Sequence, residues 1–167
     1  SPKHVAGLLI CKTPPKAGAG FVKSLYRDHL SFTDVKAPFN RVIRFSLTAM
    51  PQWEPAASID LAQHIFYHRL PRGHNDRQAL YDFVAKLHTP MLDRSRPLWE
   101  LHVIDGLTEG RFALYQKVHH AYADGVTMAR WTAQSLAATP DDLELTPAWT
   151  QRHSGHGERR KQASQEL

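Results

Sequence analysis

The chain has 167 residues, a length that suits a single domain, and 42% of its residues are hydrophobic, which is enough to build a core. No apolar run approaches the ~20 residues that a membrane-spanning helix needs, and no secretory signal peptide is visible. The formal net charge of +5 comes from basic residues scattered along the chain. Nucleic-acid binding predicts a concentrated basic stripe instead, so nucleic acid is not an expected partner.

Strand and helix signals alternate through the first third of the chain. The apolar run at residues 5–10 predicts a strand, and residues 13–20 form a loop rich in proline and glycine. Residues 21–30 carry apolar side chains at helical spacing and predict a helix. Alternation predicts a second strand at residues 41–47, and we expect residues 51–55, bounded by two prolines, to break the structure.

The middle of the chain predicts an extended segment followed by a helix. Residues 59–70 favour the extended segment, and Asn75 or Asp76 is placed to cap the helix. One face of that helix carries the apolar side chains Leu80, Phe83, Val84 and Leu87. The alternation of elements indicates an α/β fold.

The last third contains a predicted hairpin, a helix and a polar tail. Apolar runs at residues 98–104 and 112–118 flank a short loop and predict an antiparallel hairpin. A helix is expected at residues 126–136. From residue 140 onward, polar residues and Pro147 predict a linker or a disordered tail, so we divide the chain into a lobe at residues 1–139 and a linker at residues 140–167.

Residues 119–125 read HHAYADG and carry the clearest functional signal, because two histidines are followed by an acid and a glycine at fixed offsets. A predicted strand precedes them and a helix follows, so the pair lies where a rigid element passes into a loop. A histidine with an ordinary pKa of about 6.5 can take a proton and return it at neutral pH. His120 is nearer the loop and is the candidate general base. His119 points to the other side of the strand, where it packs inward or orients the loop.

The acid and the glycine of this motif have several interpretations. Asp124 can hydrogen-bond a histidine, cap the following helix or pair with a buried arginine. Gly125 permits a positive φ or a close backbone approach. The chain contains 11 histidines, yet the whole pattern arises by chance in only about one of 400 such chains, which favours a functional origin.

HHxxxDG is the signature of the acyl-CoA-dependent acyltransferase superfamily, which the chain resembles at residues 119–125. A second block, PMLDRSRPLWE at residues 90–100 followed by LHVIDGL, resembles the PLDxSRPLWE segment of the bacterial wax ester synthase/diacylglycerol acyltransferases. A third, FYHRLP at residues 66–71, resembles the segment upstream of that block in the same enzymes. The blocks follow the family's order and spacing, and the resemblance covers most of residues 4–138.

This resemblance implies a fold and an activity. The fold is the N-terminal lobe of a two-lobed chloramphenicol acetyltransferase-like enzyme, an α/β lobe with a mixed sheet flanked by helices. The activity is transfer of a long-chain acyl group from acyl-CoA to a fatty alcohol or diacylglycerol, with His120 as general base. The resemblance implies direct transfer without a covalent intermediate and without a metal. It implies no bound cofactor either, because acyl-CoA is a substrate. Family members are considerably longer, so a C-terminal lobe of the same enzyme is an implied partner and this chain corresponds to the N-terminal half.

The resemblance also bears on residues around the motif. Four residues of the second block are expected to be structural: Pro97, Leu98, Trp99 and Glu100. The last two are expected to anchor the strand that pairs beside the catalytic one. Scattered positive charge usually marks a solvated face; the functional alternative is attraction to coenzyme A phosphates or anionic headgroups, which would add the surface of a membrane or lipid inclusion as a partner. Cys11 is the single cysteine and fits a reducing cytoplasm; with no His or Asp motif beside it, it is a weak candidate nucleophile.

Other interpretations of the same residues stay open. A condensation-type domain that forms amides on carrier proteins shares HHxxxDG, and a lone lobe could bind acyl chains or partners without catalysis. Zinc at His119, His120 and Asp124 is disfavoured because the HExxH pattern and cysteine ligands are absent. His64 and His68 resemble a metal-binding pair, but an extended segment holds them too far apart to chelate easily.

Overall fold

A four-stranded mixed sheet forms the centre of the lobe. The computed structural model describes residues 3–46, 48, 50–71, 76–136 and 145–151. The sheet has the strand order β1-β6-β5-β4, and β2 and β3 pair in a separate two-stranded hairpin. In chain order the elements are β1 (His4–Lys12), α1 (Phe21–Ser31), β2 (Arg41–Arg44), β3 (Gln52–Pro55), a 3₁₀ turn (Leu61–Gln63), β4 (Ile65–Arg69), α2 (Asp76–His88), β5 (Trp99–Asp105), β6 (Arg111–His119), α3 (Gly125–Ser135) and a second 3₁₀ turn (Ala148–Thr150).

Strand β6 lies between β1 and β5 and is antiparallel to both. β1 pairs with it along its whole length, from His4 opposite His119 to Lys12 opposite Arg111. β4 runs parallel to β5, which makes the sheet mixed, as the family resemblance implies. The strand that ends at the paired histidines is therefore held by hydrogen bonds on both sides.

Helices cover both faces of the sheet because neighbouring residues of a strand point to opposite faces. Leu80 of α2 packs in one apolar cluster with Ile104, whereas Val22 of α1 packs in another cluster with Val103. Met128 places α3 on the same side of the sheet as α1. Within the described ranges, no helix combines the length and apolarity that a bilayer span requires.

Most predicted elements are confirmed with bounds shifted by one or two residues, including the β5–β6 hairpin. Three details of the prediction are wrong. The strand predicted to reach residue 47 ends at Arg44, and a 3₁₀ turn interrupts the predicted extended segment 59–70. The predicted break at residues 51–55 is strand β3. All four residues of β3 are exposed, so it lacks an alternating apolar pattern, and a proline is tolerated at the end of such an edge strand.

Residues 145–151 pack into the core of the lobe. Trp149 is 2% exposed, stacks on Trp99 with ring centroids 5.1 Å apart and donates its indole N–H to Phe32 O at 3.0 Å. This part of the predicted linker or disordered tail is therefore a packed extension of the lobe. Residues 140–144 and 152–167 lie outside the described residues, and the boundary at residue 139 stays a prediction.

Candidate active site

The paired histidines lie where β6 passes into a loop. His119 is the last residue of β6 and is half-buried, whereas His120 is exposed. The backbone N–H of His119 donates to Leu98 O at 2.9 Å, and that of His120 donates to Lys3 O at 2.8 Å. These acceptors belong to the segments that lead into β5 and β1. The pair is thus fixed from both neighbouring strands, with His120 in the exposed position that a general base requires.

The side chain of His119 supports the turn that follows it. Its Nδ1 accepts the backbone N–H of Ala121 at 3.1 Å, so a neutral His119 carries its proton on Nε2. Burial lowers the pKa of His119, and the nearby positive charges of Arg94 and His4 lower it further. Both effects keep the imidazole neutral, and a neutral ring can go on accepting the Ala121 hydrogen bond. This arrangement fits the interpretation that His119 orients the loop.

Asp124 is the N-cap of α3. Its Oδ1 accepts the backbone N–H of Thr127 at 2.7 Å, and its own backbone is extended, as an N-cap residue requires. Of the interpretations open at the sequence level, the structure realises the helix cap. The aspartate thereby sets the direction in which the chain leaves the loop at residues 120–124, the candidate catalytic loop.

Gly125 does not play the conformational role predicted for it. It is the first residue of α3, its φ is not positive, and a Cβ placed there would meet no atom within 4 Å. The prediction of a positive φ is therefore wrong, and no backbone of the described residues approaches Gly125 closely. The space that a side chain would fill is open, and Gly125 there borders an apolar cavity.

The hydroxyl of Tyr122 bonds the loop to two other parts of the chain, a role that was not predicted from the sequence. The residue is 2% exposed, and its hydroxyl donates to Arg41 O while accepting the N–H of Leu98 at 3.0 Å. Burial raises the pKa of Tyr122, so the phenol keeps the proton that it donates. The available signal was an aromatic residue flanked by two alanines between the histidines and the aspartate.

The residues of the second sequence block lie beneath the catalytic loop. Pro97, Leu98 and Trp99 are buried, and Trp99 donates its indole N–H to Phe39 O at 2.9 Å. Trp99 also pairs with Val118 of β6. Trp99 thus joins β5 to the core and to β6, and the structural role of the whole block stays a prediction.

His64 and His68 have separate partners. His64 Nδ1 donates to Trp99 O at 2.9 Å, and its ring stacks on the indole with centroids 4.5 Å apart. His68 Nε2 lies 3.0 Å from Nδ1 of His102. Among the described residues, no group of three or more His, Cys, Asp or Glu side chains is arranged to hold a metal ion.

A row of polar side chains lies under α2: His68, His102, Glu100 and Lys117. From the sequence, Glu100 was expected to be structural and metal binding by His68 was disfavoured. His102 Nε2 lies 3.2 Å from Glu100 Oε2, and the ammonium of Lys117 lies 3.7 Å from the same oxygen. Burial acts to raise the pKa of Glu100, but the hydrogen bond from His102 and the charge of Lys117 outweigh it and lower the pKa. A lysine in an apolar strand was the signal that could have revealed this row.

An apolar cavity of about 630 Å³ lies against β1 between α1 and α3. Its walls include Gly7 and Leu9 of β1, Leu114 of β6 and Met128 of α3, and it reaches Gly125 beside the catalytic loop. The volume falls in the range of ligand-binding pockets, roughly 300–1,000 Å³. The cavity can accept an apolar chain but offers little to a polar one. Cys11 also borders it, and burial raises the pKa of this thiol, which works against a nucleophilic thiolate.

This α/β lobe, with an interior strand that leads into HHxxxDG beside an apolar cavity, has the fold that the resemblance implies for the N-terminal lobe of this class of two-lobed enzymes. The whole chain, residues 1–167, matches the wax ester synthase/diacylglycerol acyltransferase catalytic domain, and the chain belongs to this family. It is 38% identical over 151 residues to a probable diacylglycerol O-acyltransferase of Mycobacterium tuberculosis, covering 89% of this chain and 33% of that protein.

Solved structures agree with this assignment. The wax ester synthase/diacylglycerol acyltransferase of Marinobacter aquaeolei VT8 superposes with a TM-score of 0.83 at 37% identity, covering 89% of this chain and 37% of that one. The starter condensation domain of the rhizomide synthetase gives a TM-score of 0.56 at 11% identity, which shows a shared fold alone. The chain thus spans about a third of the length of the relatives that it matches.

Proposed function

We propose that the protein containing this lobe is an acyl-CoA-dependent O-acyltransferase that moves a long-chain fatty acyl group to a fatty alcohol or a diacylglycerol. The observation that carries the proposal is the placement of His120. It is exposed on a loop that is fixed by its neighbouring strands and that continues to Gly125 at the edge of the apolar cavity. Membership in the wax ester synthase/diacylglycerol acyltransferase family supports both substrate classes.

In the proposed reaction, His120 removes the hydroxyl proton as the acceptor oxygen attacks the thioester carbonyl. The tetrahedral intermediate collapses and expels coenzyme A, and the protonated His120 gives its proton to the departing sulfur. A thiol with a pKa of about 8.5 leaves far more readily than an alkoxide, so the chemistry favours ester formation. No covalent enzyme intermediate, metal or bound cofactor takes part in this mechanism.

The other motif residues act on geometry in this proposal. His119 supports the turn through Ala121, and Asp124 starts α3 in a fixed direction. The N-terminus of α3 is suited to stabilise the oxyanion. Its Thr127 N–H is already used by Asp124, so the amides of Gly125 or Val126 are the donors that we propose.

The test is thiol release from palmitoyl-CoA by the complete protein, with hexadecanol, with a diacylglycerol and without an acceptor. We expect acceptor-dependent release that falls about 100-fold or more in His120→Ala, because general-base catalysis contributes 10²–10⁴-fold. His119→Ala is the matched variant, and we expect it to lose less activity. Acceptor-dependent release that is insensitive to His120, or no release in the wild type, would overturn the mechanism.

The same assay separates the two alternatives. A condensation-type domain would act on acyl groups held by a carrier protein rather than on free acyl-CoA, and its likeness to this chain is one of fold. A lone acyl-binding lobe would bind palmitoyl-CoA without releasing thiol. We favour the acyltransferase because the family match covers the whole chain.

We further propose that the enzyme works with a C-terminal lobe and at the surface of a membrane or lipid inclusion. The long-chain acceptors partition into lipid, and the net charge of +5 favours anionic headgroups. Phe45 and Met50, which follow β2 and precede β3, are 64% and 81% exposed and suit contact with lipid. Co-flotation of the complete protein with anionic but not with neutral vesicles would support the charge-based attraction, and no flotation with either would contradict it.

A further inference from the structure

The ammonium of Lys117 is buried beneath α2 and bonds to the chain just where that helix ends. Lys117 is 1% exposed, and its Nζ donates to Leu87 O at 2.9 Å and to Pro90 O at 2.8 Å. Leu87 lies in the last turn of α2, where carbonyl groups lack helical partners and the helix dipole favours a cation. Lys117 therefore caps α2 from the neighbouring strand and also holds the chain that follows the helix.

Residues 90–98 run from this anchor to the catalytic loop. At the far end, Leu98 O accepts the N–H of His119 at 2.9 Å, and the Leu98 N–H donates to the Tyr122 hydroxyl at 3.0 Å. Between the two ends, Leu92 is buried and Arg94 contributes one of the positive charges that lower the pKa of His119. The catalytic loop thus rests on residues 90–98, and Lys117 fixes the other end of that segment. Lys117 itself lies on β6, two residues before His119.

Glu100 has a different task in the same cluster. A buried ammonium without a counter-charge carries a large desolvation cost, and the Glu100 carboxylate at 3.7 Å offsets it. The hydrogen bond between His102 and Glu100 holds the carboxylate in place. Charge compensation by Glu100 and positioning by the two carbonyl contacts of Lys117 can therefore be separated by mutation.

We propose that Lys117 is a positioning residue of the active site, whose ammonium fixes residues 90–98 against β6 and so holds the loop that presents His120. Its kinetic consequence rests on the acyltransferase function proposed above. Its structural consequence, an ordered backbone at residues 119–121, does not depend on that function.

The experiment compares Lys117→Met, Glu100→Gln and the double variant in the complete protein. Lys117→Met leaves the half-buried Glu100 carboxylate without the ammonium beside it, so we expect a lower melting temperature and a lower kcat. The double variant removes both charges but leaves the two carbonyl groups without this donor, so we expect its melting temperature to recover only in part. The contacts from residue 117 to Leu87 O and Pro90 O stay lost in the double variant. We therefore expect its kcat to remain about 10- to 100-fold below wild type while KM changes less than about threefold.

Amide hydrogen exchange supplies a readout that needs no catalysis. In the double variant we expect the amides of residues 119–121 to exchange at least about tenfold faster than in wild type. The Thr13 amide, which donates to Gly110 O at the other end of the sheet, is the internal control and should not change.

Two results would overturn the proposal. Recovery of both melting temperature and kcat in the double variant would show that Lys117 only balances charge, and unchanged exchange at residues 119–121 would show that it does not hold the loop. The exposed pair Arg44–Glu54, replaced as Arg44→Met with Glu54→Gln, is the matched control and should leave both readouts unchanged. If wild type shows no acceptor-dependent thiol release, the acyltransferase proposal fails and the exchange result alone decides the role of Lys117.

Discussion

At the scale of single residues, the hydroxyl of Tyr122 joins three segments that are distant in the chain. Through its bonds to Arg41 O and Leu98 N, it connects the catalytic loop to β2 and to the segment before β5. The ring also lies 5.0 Å from that of Trp53 in β3. A phenylalanine would keep the ring contacts but would leave a buried carbonyl and a buried N–H without this partner.

We therefore expect Tyr122→Phe to lower the free energy of unfolding by about 1–3 kcal/mol, the cost of leaving buried polar groups unpaired. Urea denaturation of the complete protein measures the change. Tyr81→Phe on α2 is the matched control, because Tyr81 is 47% exposed, and it should change stability by less than about 0.5 kcal/mol. Equal effects of the two substitutions would show that the buried hydroxyl contributes nothing specific.

At the scale of elements, the β5–β6 hairpin depends on a glycine at its turn. Gly106 has φ +95°, and a Cβ there would lie 2.5 Å from Leu70 O. We expect Gly106→Ala to cost about 2 kcal/mol or more, from backbone strain and this clash together. Gly18→Ala meets no atom within 4 Å and should be nearly neutral. Thermal unfolding of both variants tests the difference, and a tolerated Gly106→Ala would mean that the turn relaxes at little cost.

Elements with a regular apolar pattern could be predicted from the sequence. The helix at residues 21–30 and the hairpin around Gly106 were found because burial imposes a period on the chain. Strand β3 was missed because none of its four residues is buried, so no period exists to detect. Asp124 was identified as a possible cap because its partner, Thr127, is only three residues away.

The parts of the site that could not be predicted depend on partners far along the chain. Lys117 bonds to carbonyl groups 27 and 30 residues before it, and Tyr122 bonds to a carbonyl 81 residues before it. Trp149 donates to a carbonyl 117 residues away, so its burial was not visible in a polar tail. Which residues meet at such separations is decided by the packing of the sheet and not by any local pattern.

At the scale of the whole lobe, several buried and half-buried histidines couple folding to pH. Burial is the main cause that lowers the pKa of His4, His29, His64, His68 and His119. The unfolded chain takes up these protons at an ordinary pKa of about 6.5, whereas the folded lobe takes them up at lower pH. The unfolded state therefore binds more protons in that interval, and stability falls as pH decreases.

We expect the free energy of unfolding to be nearly constant between pH ~7 and ~8 and to fall as the pH drops from about 6.5 toward the lowered values of the folded state. Urea denaturation of the complete protein at several pH values measures this. Glu100 adds a further loss only below its ordinary pKa of about 4.5, because its folded pKa is lowered. Stability that increases between pH 7 and pH 5 would contradict the burial of these imidazoles in neutral form.

The pairing of β1 with β6 has a consequence for how the lobe is made. His4 and His119 face each other although they are 115 residues apart in the chain, and β1 contacts no other strand within the described residues. During synthesis, β1 stays unpaired until β6, near the end of the lobe, has left the ribosome. Contacts of such long range form slowly. The strand that ends at the paired histidines is thus also the strand that joins β1 to the rest of the sheet. Until β6 has been made, β1 has no strand partner and is prone to aggregation.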